Sequence, residues 1–333
     1  MYKTGIIDIF ITISILICFL ILLIKSAKQL ENNIITISKK LKLKEFFLGF
    51  LLIGIFTNLP EIAVAIFSVN QNTPSLSVGN LFGGATVLLT LVFGLVAIKF
   101  KKIAFKRPLF TESELVIGLL QLMCSLIFIS DGYLSIVESL SILIFYLLYI
   151  RYISHHFQFK FRDVFKINLK KFLSGISTST ILSTILSVGL LIIAANFIVE
   201  LSENLAILLG IPLSLFGLLL LGIGTNLPEI AILLTTDKHD IKEKNLTTGI
   251  ILGSVFVRNG ILGIVGILSG GFILEDKIVF IPTIVILCLT NIIFLLFTWR
   301  DRDISREEGL LLVSLYAALM ISESVIIFNN LNI

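Results

Sequence analysis

Apolar residues gather in long, nearly unbroken runs, separated by short polar stretches along the whole chain. A membrane-crossing helix needs about 20 mainly apolar residues. Ten runs qualify: 6–25, 45–69, 76–98, 113–130, 133–150, 173–199, 205–235, 246–268, 278–298 and 307–328. The first run follows Lys3 alone and no small-residue cleavage site comes after it, so it reads as a retained helix rather than a signal peptide. The longest polar connection, 151–172, is too short to fold by itself. The pattern therefore predicts an all-α integral membrane protein of ten transmembrane helices. Its parts are a first five-helix half over 1–150, the basic connection 151–172 and a second half over 173–333.

Composition removes the main alternatives. Of 333 residues, 56% are hydrophobic and 14% charged, against about 25% charged in soluble domains. The mean hydropathy of +1.05 agrees. A soluble enzyme, a disordered chain and a nucleic-acid binder are all excluded as the main reading. Cys18, Cys124 and Cys288 lie inside apolar runs and read as small buried hydrophobes. His155, His156 and His239 lie in polar connections and make no metal motif. No paired nucleophile and base, and no nucleotide-binding loop, points to an enzyme or a resident cofactor. The expected partners are the lipid bilayer and inorganic cations.

Charge sets the expected orientation. The connections after runs 1, 3, 5, 7 and 9 hold 23 of the 26 Lys and Arg residues. Lys3 and Lys277 fall on the opposite side, and Arg258 falls inside a run. Basic connections face the cytoplasm, so both termini are expected outside, in a cell membrane. Asp8, Glu138 and Glu323 fall near outer ends of runs and are expected to be solvated or interfacial. Glu45, Glu307 and Glu308 open cytoplasmic helix ends and suit helix N-terminal dipoles.

The two halves repeat each other. Residues 54–63 read Gly-Ile-Phe-Thr-Asn-Leu-Pro-Glu-Ile-Ala, and 222–231 read Gly-Ile-Gly-Thr-Asn-Leu-Pro-Glu-Ile-Ala. Nine of ten positions agree at an offset of 168. A weaker, Gly-rich pair follows, with Gly79 to Gly84 against Gly249 to Ser254 at an offset of 170. Five spans per half is odd, so the second half runs through the membrane inverted. Inverted repeats are the common build of secondary transporters, with the site near the midplane between repeats.

The doubled motif has a chemical reading. Pro60 and Pro228 lack an amide N–H and crowd the carbonyl four residues back, which is expected to free carbonyls near Phe56 and Gly224. A broken helix is tolerated at membrane depth only where it is buried in protein or lines a cavity. Thr57 and Thr225 each lie four residues before a glutamate, Glu61 and Glu229. Two carboxylates, two hydroxyls and several carbonyls would make an all-oxygen shell of the kind hard cations take.

The doubled Gly-x-x-Thr-Asn-Leu-Pro-Glu motif, each copy followed by a Gly-rich helix, resembles the cation/calcium exchanger superfamily of sodium/calcium exchanger membrane proteins. The resemblance implies ten helices in two inverted repeats and exchange of Ca²⁺ for Na⁺, H⁺ or K⁺ by alternating access. It implies Glu61 and Glu229 as central cation-binding carboxylates, with Thr57, Thr225, Asn58 and Asn226 adding oxygens. Spans 2, 3, 7 and 8 would form the site, and spans 1 and 6 would rock past it. Asn58 and Asn226 stand where the family has Ser. In the second motif the chain departs further: Gly84-Ala85 and Ser254-Val255 replace the family's Ser-Asn pattern, and Leu88 and Arg258 stand at the later polar position.

Arg258 is the most informative departure. An arginine inside a span is costly and stays charged, so it needs a partner, and Glu61 and Glu229 are the natural ones. Pairing with Asp8 or Glu323, or snorkelling, is the alternative. A built-in cation lowers the site charge from −2 to −1 and disfavours Ca²⁺. The expected function is an ion-coupled cation antiporter. The alternatives are an antiporter with altered, monovalent or other, selectivity and a non-transporting scaffold closed by Arg258. Gly84 and Ser254 join Arg258 as residues that modulate the site.

Overall fold

The computed structural model describes residues 2–40, 57–104, 112–156, 177–227, 229–230, 241–274, 277–300 and 303–331. Ten helices run through these residues: α1 (Tyr2–Lys40), α2 (Leu59–Asn70), α3 (Pro74–Phe100), α4 (Glu112–Ile129), α5 (Ile136–His156), α6 (Thr178–Leu209), α7 (Leu213–Gly224), α8 (Ile241–Leu268), α9 (Lys277–Arg300) and α10 (Arg306–Leu331). Seven are long and apolar enough to cross a membrane; α2, α4 and α7 are shorter apolar helices. Two short π-helical stretches, Val87–Val92 within α3 and Gly217–Leu221 within α7, interrupt the regular winding.

The inversion of the two halves is visible in paired details. Strand β1 (Lys102–Ala104), after α3, pairs antiparallel with β4 (Asp303–Ser305), after α9. Strand β2 (Tyr133–Leu134), before α5, pairs with β3 (Phe272–Ile273), after α8. These two ladders exchange places when the halves are swapped. The first brings the ends of α3 and α9 to one side, so Lys99, Lys101 and Lys102 share a side with Arg300 and Arg306. The capping boxes repeat too. Ser135 N–H donates to Glu138 Oε2 at 2.9 Å and Glu138 N–H donates to Ser135 Oγ at 3.2 Å, opening α5. At an offset of 170, Ser305 N–H donates to Glu308 Oε2 at 2.7 Å and Glu308 N–H to Ser305 Oγ at 3.3 Å, opening α10. Each box satisfies two amides that a helix start leaves unpaired.

Two apolar clusters flank α2, α3 and α7. One joins Leu16, Leu20 and Leu23 of α1 to Ala194, Ala195 and Ile198 of α6, with Val64 and Leu76 at its edge. Phe19 and Phe197 stack within it, centroids 4.8 Å apart. The other joins α3 to α4, α5, α8 and α9 through residues such as Phe93, Leu122, Tyr149, Phe256 and Phe294. The outward faces of the outer helices expose large apolar side chains, including Ile127, Val137 and Ile185. Trp299 stands exposed beside Arg300 at the end of α9, as interfacial aromatics do.

Helices α3 and α7 approach backbone to backbone. A Cβ on Gly79 would lie 2.0 Å from the Ser214 carbonyl oxygen, and one on Gly83 would lie 2.2 Å from that of Leu218. Gly217 faces the Leu76 carbonyl and Gly222 faces Gly83 in the same way. Small residues permit such contact where lipid gives helices no hydrophobic reason to associate.

Several boundaries differ from the sequence pattern. Helix α6 does not stop at 199 but continues to Leu209, so 205–209 belong to it and not to the seventh span. Gly210, at φ 65°, and Pro212 end it. The apolar run hid this stop because it continues on both sides. Helix α1 extends to Lys40, well past residue 25. Glu323 is not interfacial: it is fully buried and accepts a bond from Thr283 Oγ1 at 3.2 Å. Asp8 is exposed. Residues 41–56 (with Lys42, Lys44 and Glu45), 105–111 (with Lys106 and Arg107), 157–176 (with most of the basic connection 151–172), 231–240 and Pro228 lie outside the described residues.

Gly83→Leu is expected to prevent α3 and α7 from meeting. Overpacking costs about 1–3 kcal/mol or more, and here the obstacle is backbone. A thermal melt and size-exclusion profile in detergent should show lost folded protein, whereas Gly189→Ala, whose Cβ meets nothing within 4 Å, should leave both unchanged.

Candidate functional site

In the first repeat α2 starts at the Thr-Asn pair, and in the second α7 stops there. Asn58 is the N-cap of α2, and its carbonyl accepts from Ile62 N–H at 2.9 Å. Pro60 falls in the first turn of α2, where a missing N–H costs nothing. In the second repeat α7 ends at Gly224. Asn226 N–H turns back to the Ile223 carbonyl at 3.1 Å, and the helix resumes with Ile230 N–H on the Asn226 carbonyl at 3.2 Å. The turn thus falls just C-terminal to the expected Gly224 carbonyl; Phe56 and Pro228 lie outside the described residues.

The breaks meet in the middle of the fold, between α3 and α8. Asn58, Glu61, Asn80, Thr225, Asn226 and Ser254 are fully buried, and Glu229 and Arg258 nearly so. Thr57 is half-buried at the first break. The centre is a charge pair across the repeats: Arg258 Nη2 donates to Glu61 Oε1 at 2.7 Å. The same nitrogen donates to Asn226 Oδ1 at 2.7 Å, and Nη1 reaches the Asn80 carbonyl at 3.5 Å. Asp8 and Glu323 are not the partners.

Two further bonds within the buried cluster cross the repeats. Thr225 Oγ1 donates to Asn80 Oδ1 at 3.1 Å, and Ser254 Oγ donates to Asn58 Oδ1 at 3.3 Å. Asn226 is fixed by Nδ2 donating to the Gly222 carbonyl at 2.6 Å, which aims its Oδ1 at the guanidinium. Gly84 is the floor beneath it: a Cβ there would lie 1.9 Å from Arg258 Nη1 and 2.6 Å from Asn226 Nδ2. Glu61 Oε2 and Asn80 Nδ2 have no hydrogen-bond partner among the described residues.

The structure thus brings Asn58, Glu61, Thr225, Asn226, Ser254, Gly84 and Arg258 into one cluster. Asn80 belongs to it and sequence reasoning passed over it, treating it as part of a weak Gly-rich match. Its signal was an amide inside an otherwise apolar helix, between two glycines that bring a neighbour close.

The sodium/calcium exchanger protein family model matches residues 11–154 and 179–323, one segment in each half. The chain belongs to this family. It is 26% identical to sodium/calcium exchanger MaX1 of Methanosarcina acetivorans, over 92% of this chain and 97% of that relative. It is 24% identical to inner membrane protein YrbG of Escherichia coli, over 90% and 92%. Its fold is shared with the sodium-calcium exchanger NCX_Mj soaked with Na⁺ and Sr²⁺, at a TM-score of 0.59 and 23% identity over 94% of this chain and 99% of that one. It is also shared with the H⁺/Ca²⁺ exchanger CAX, at a TM-score of 0.66 and 16% identity, over 96% and 88%. Exchangers are secondary transporters of the membrane, not enzymes.

In this exchanger-family chain the Gly84 floor and the guanidinium are expected to be energetically coupled. Gly84→Ala should push Arg258 off Glu61 and lower the melting temperature, and the double variant Gly84→Ala/Arg258→Met should recover part of the loss. A double-mutant cycle by thermal melts should read a coupling of about 0.5–3 kcal/mol.

Proposed function

We propose that the protein is an ion-coupled cation antiporter that works by alternating access around Glu61 and Glu229. The observation that carries this reading is a buried carboxylate beside the Thr-Asn helix terminus in each of two inverted repeats. Such pairing near the midplane is how secondary transporters build ion sites, and an intramembrane ionisable residue is by default functional. Thr57, Thr225, Asn58 and Asn226 supply neighbouring oxygens. Ca²⁺, Na⁺ and H⁺ are the candidate cargoes, because the named relatives are sodium/calcium and H⁺/Ca²⁺ exchangers. The halves 1–150 and 173–333 are the two repeat units, joined by the basic connection 151–172.

Helices α1 and α6 form the moving pair. They share an apolar cluster of their own, and Leu20 of α1 covers the second break at Gly224. Sliding of this pair past α2 and α7 would open the site to one side and then the other. The basic connections face the cytoplasm and both termini lie outside the cell membrane. Energy comes from ion gradients.

Proteoliposomes test the reading. An imposed Na⁺ or H⁺ gradient is expected to drive counter-movement of a second cation without ATP. Glu229→Gln should reduce that flux at least tenfold while the protein still reconstitutes as a folded species. Gradient-independent flux, or unchanged flux in Glu229→Gln, would refute it.

A further inference from the structure

We infer that Arg258 is a resident cation filling the Glu61 half of the site, and that it makes the exchanger selective for monovalent over divalent cations. The inference rests on the antiporter reading and adds its cargo class.

The guanidinium lies where a cation's oxygen cage would be. Three oxygens of different origin converge on it: the Glu61 carboxylate of α2, the Asn226 amide at the second break and the Asn80 carbonyl of α3. Carboxylate, amide and main-chain oxygens are the donors hard cations select. The position is also shaped. With any side chain at residue 84, the floor of this socket would be filled. The weak hydration of a guanidinium suits a buried place better than that of an ammonium.

Charge then decides selectivity. Along α2, α3, α7 and α8, and through the second break to Ile230, the buried ionisable side chains are Glu61 in the first turn of α2, Glu229 just past the second break and Arg258 within α8; Glu114 and Glu323 are buried on α4 and α10. Lys99, Lys242, Glu243 and Lys244 sit in end turns. The three groups on the site helices sum to −1. One monovalent cation neutralises that; a divalent one leaves +1 buried, and an uncompensated buried charge is strongly unfavourable. Coulomb's law with an effective dielectric of about 20 and a separation of about 5 Å puts the penalty that Arg258 adds to a second positive charge on the order of 100-fold.

The test uses the full chain in nanodiscs and in proteoliposomes. Thermal stabilisation is titrated with NaCl, KCl, CaCl₂ and SrCl₂ at constant ionic strength, beside ²²Na⁺ and ⁴⁵Ca²⁺ counterflow. Wild type is expected to respond to Na⁺ or K⁺ at least tenfold more sensitively than to Ca²⁺ or Sr²⁺. Arg258→Asn should tighten the divalent response about 100-fold, and Arg258→Lys should keep the wild-type order. Wild type preferring Ca²⁺ or Sr²⁺ overturns the inference, as does an unchanged divalent response in Arg258→Asn. The wild-type ratio alone decides if that variant does not fold. Exchange of ⁴⁵Ca²⁺ by wild type, lost in Glu229→Gln, would sink this inference and leave the antiporter standing. A wild type silent to every cation would sink both the antiporter reading and this inference.

Discussion

The closeness of α3 and α7 governs the polar interior. Gly79 and Gly83 press on the carbonyls of Ser214 and Leu218, and Gly217 presses back on Leu76. In a bilayer, neighbouring helices gain nothing by hiding apolar surface from water, so fit and small residues decide who packs with whom. The same stripe shapes the site. Asn80 follows Gly79 directly, and the contact at Gly79 brings its side chain to Thr225 of the other repeat. Gly84 follows Gly83, and its missing side chain is the room the Arg258 guanidinium takes. A larger residue anywhere along this stripe would change packing and chemistry together.

The Arg258–Glu61 pair follows from that geometry, yet stability alone does not explain it. A charge at the bilayer centre costs about 2.5–3.5 kcal/mol on insertion scales. A buried pair recovers its desolvation only with good geometry and further hydrogen bonds, and an apolar pair of similar volume often does as well. Here the geometry is good, with a 2.7 Å ion pair and a second 2.7 Å bond to Asn226. Glu61 Oε2 and Arg258 Nε nevertheless have no hydrogen-bond partner among the described residues. The arrangement is therefore not the cheapest way to hold α2 against α8. Its distinctive product is a fixed positive charge among oxygens drawn from both repeats.

Much of this was readable from the chain because membrane physics writes in long runs. Ten apolar runs correspond to ten helices, and the Thr-Asn-Leu-Pro-Glu repeat marks both breaks. What escaped has physical causes. The stop between α6 and α7 is set by Gly210 and Pro212, but Leu205–Leu209 and Leu213–Phe216 are apolar on either side, so no polar gap announces it. The burial of Glu323 depends on Thr283, 40 residues away on a neighbouring helix, and position along a run does not say which face packs. Asn80 depends on the same kind of long-range contact. The two capping boxes, Ser-x-x-Glu at 135–138 and 305–308, are a local helix-start signal with a known mechanism, but the expectations for Glu138 and Glu308 used position and dipole alone.

The two kinds of contact divide the molecule in a way that bears on movement. Hydrogen bonds and charge join α2, α3, α8 and the second break, and these bonds cross from one repeat to the other. Helices α1 and α6 meet that core mainly through Leu, Ile, Val and Ala side chains. Apolar surfaces are non-directional and can shift register while remaining covered, whereas a buried hydrogen bond leaves an unsatisfied group when it breaks. Where α6 does bond the core, through Gln71 Nε2 donating to Asn196 Oδ1 at 2.9 Å, the bond sits at the far end of α2 and is only partly buried. The polar cluster is thus suited to stay whole while the α1–α6 pair slides. Under the proposed cycle the cation would meet the same oxygens, and the same arginine, from either side of the membrane.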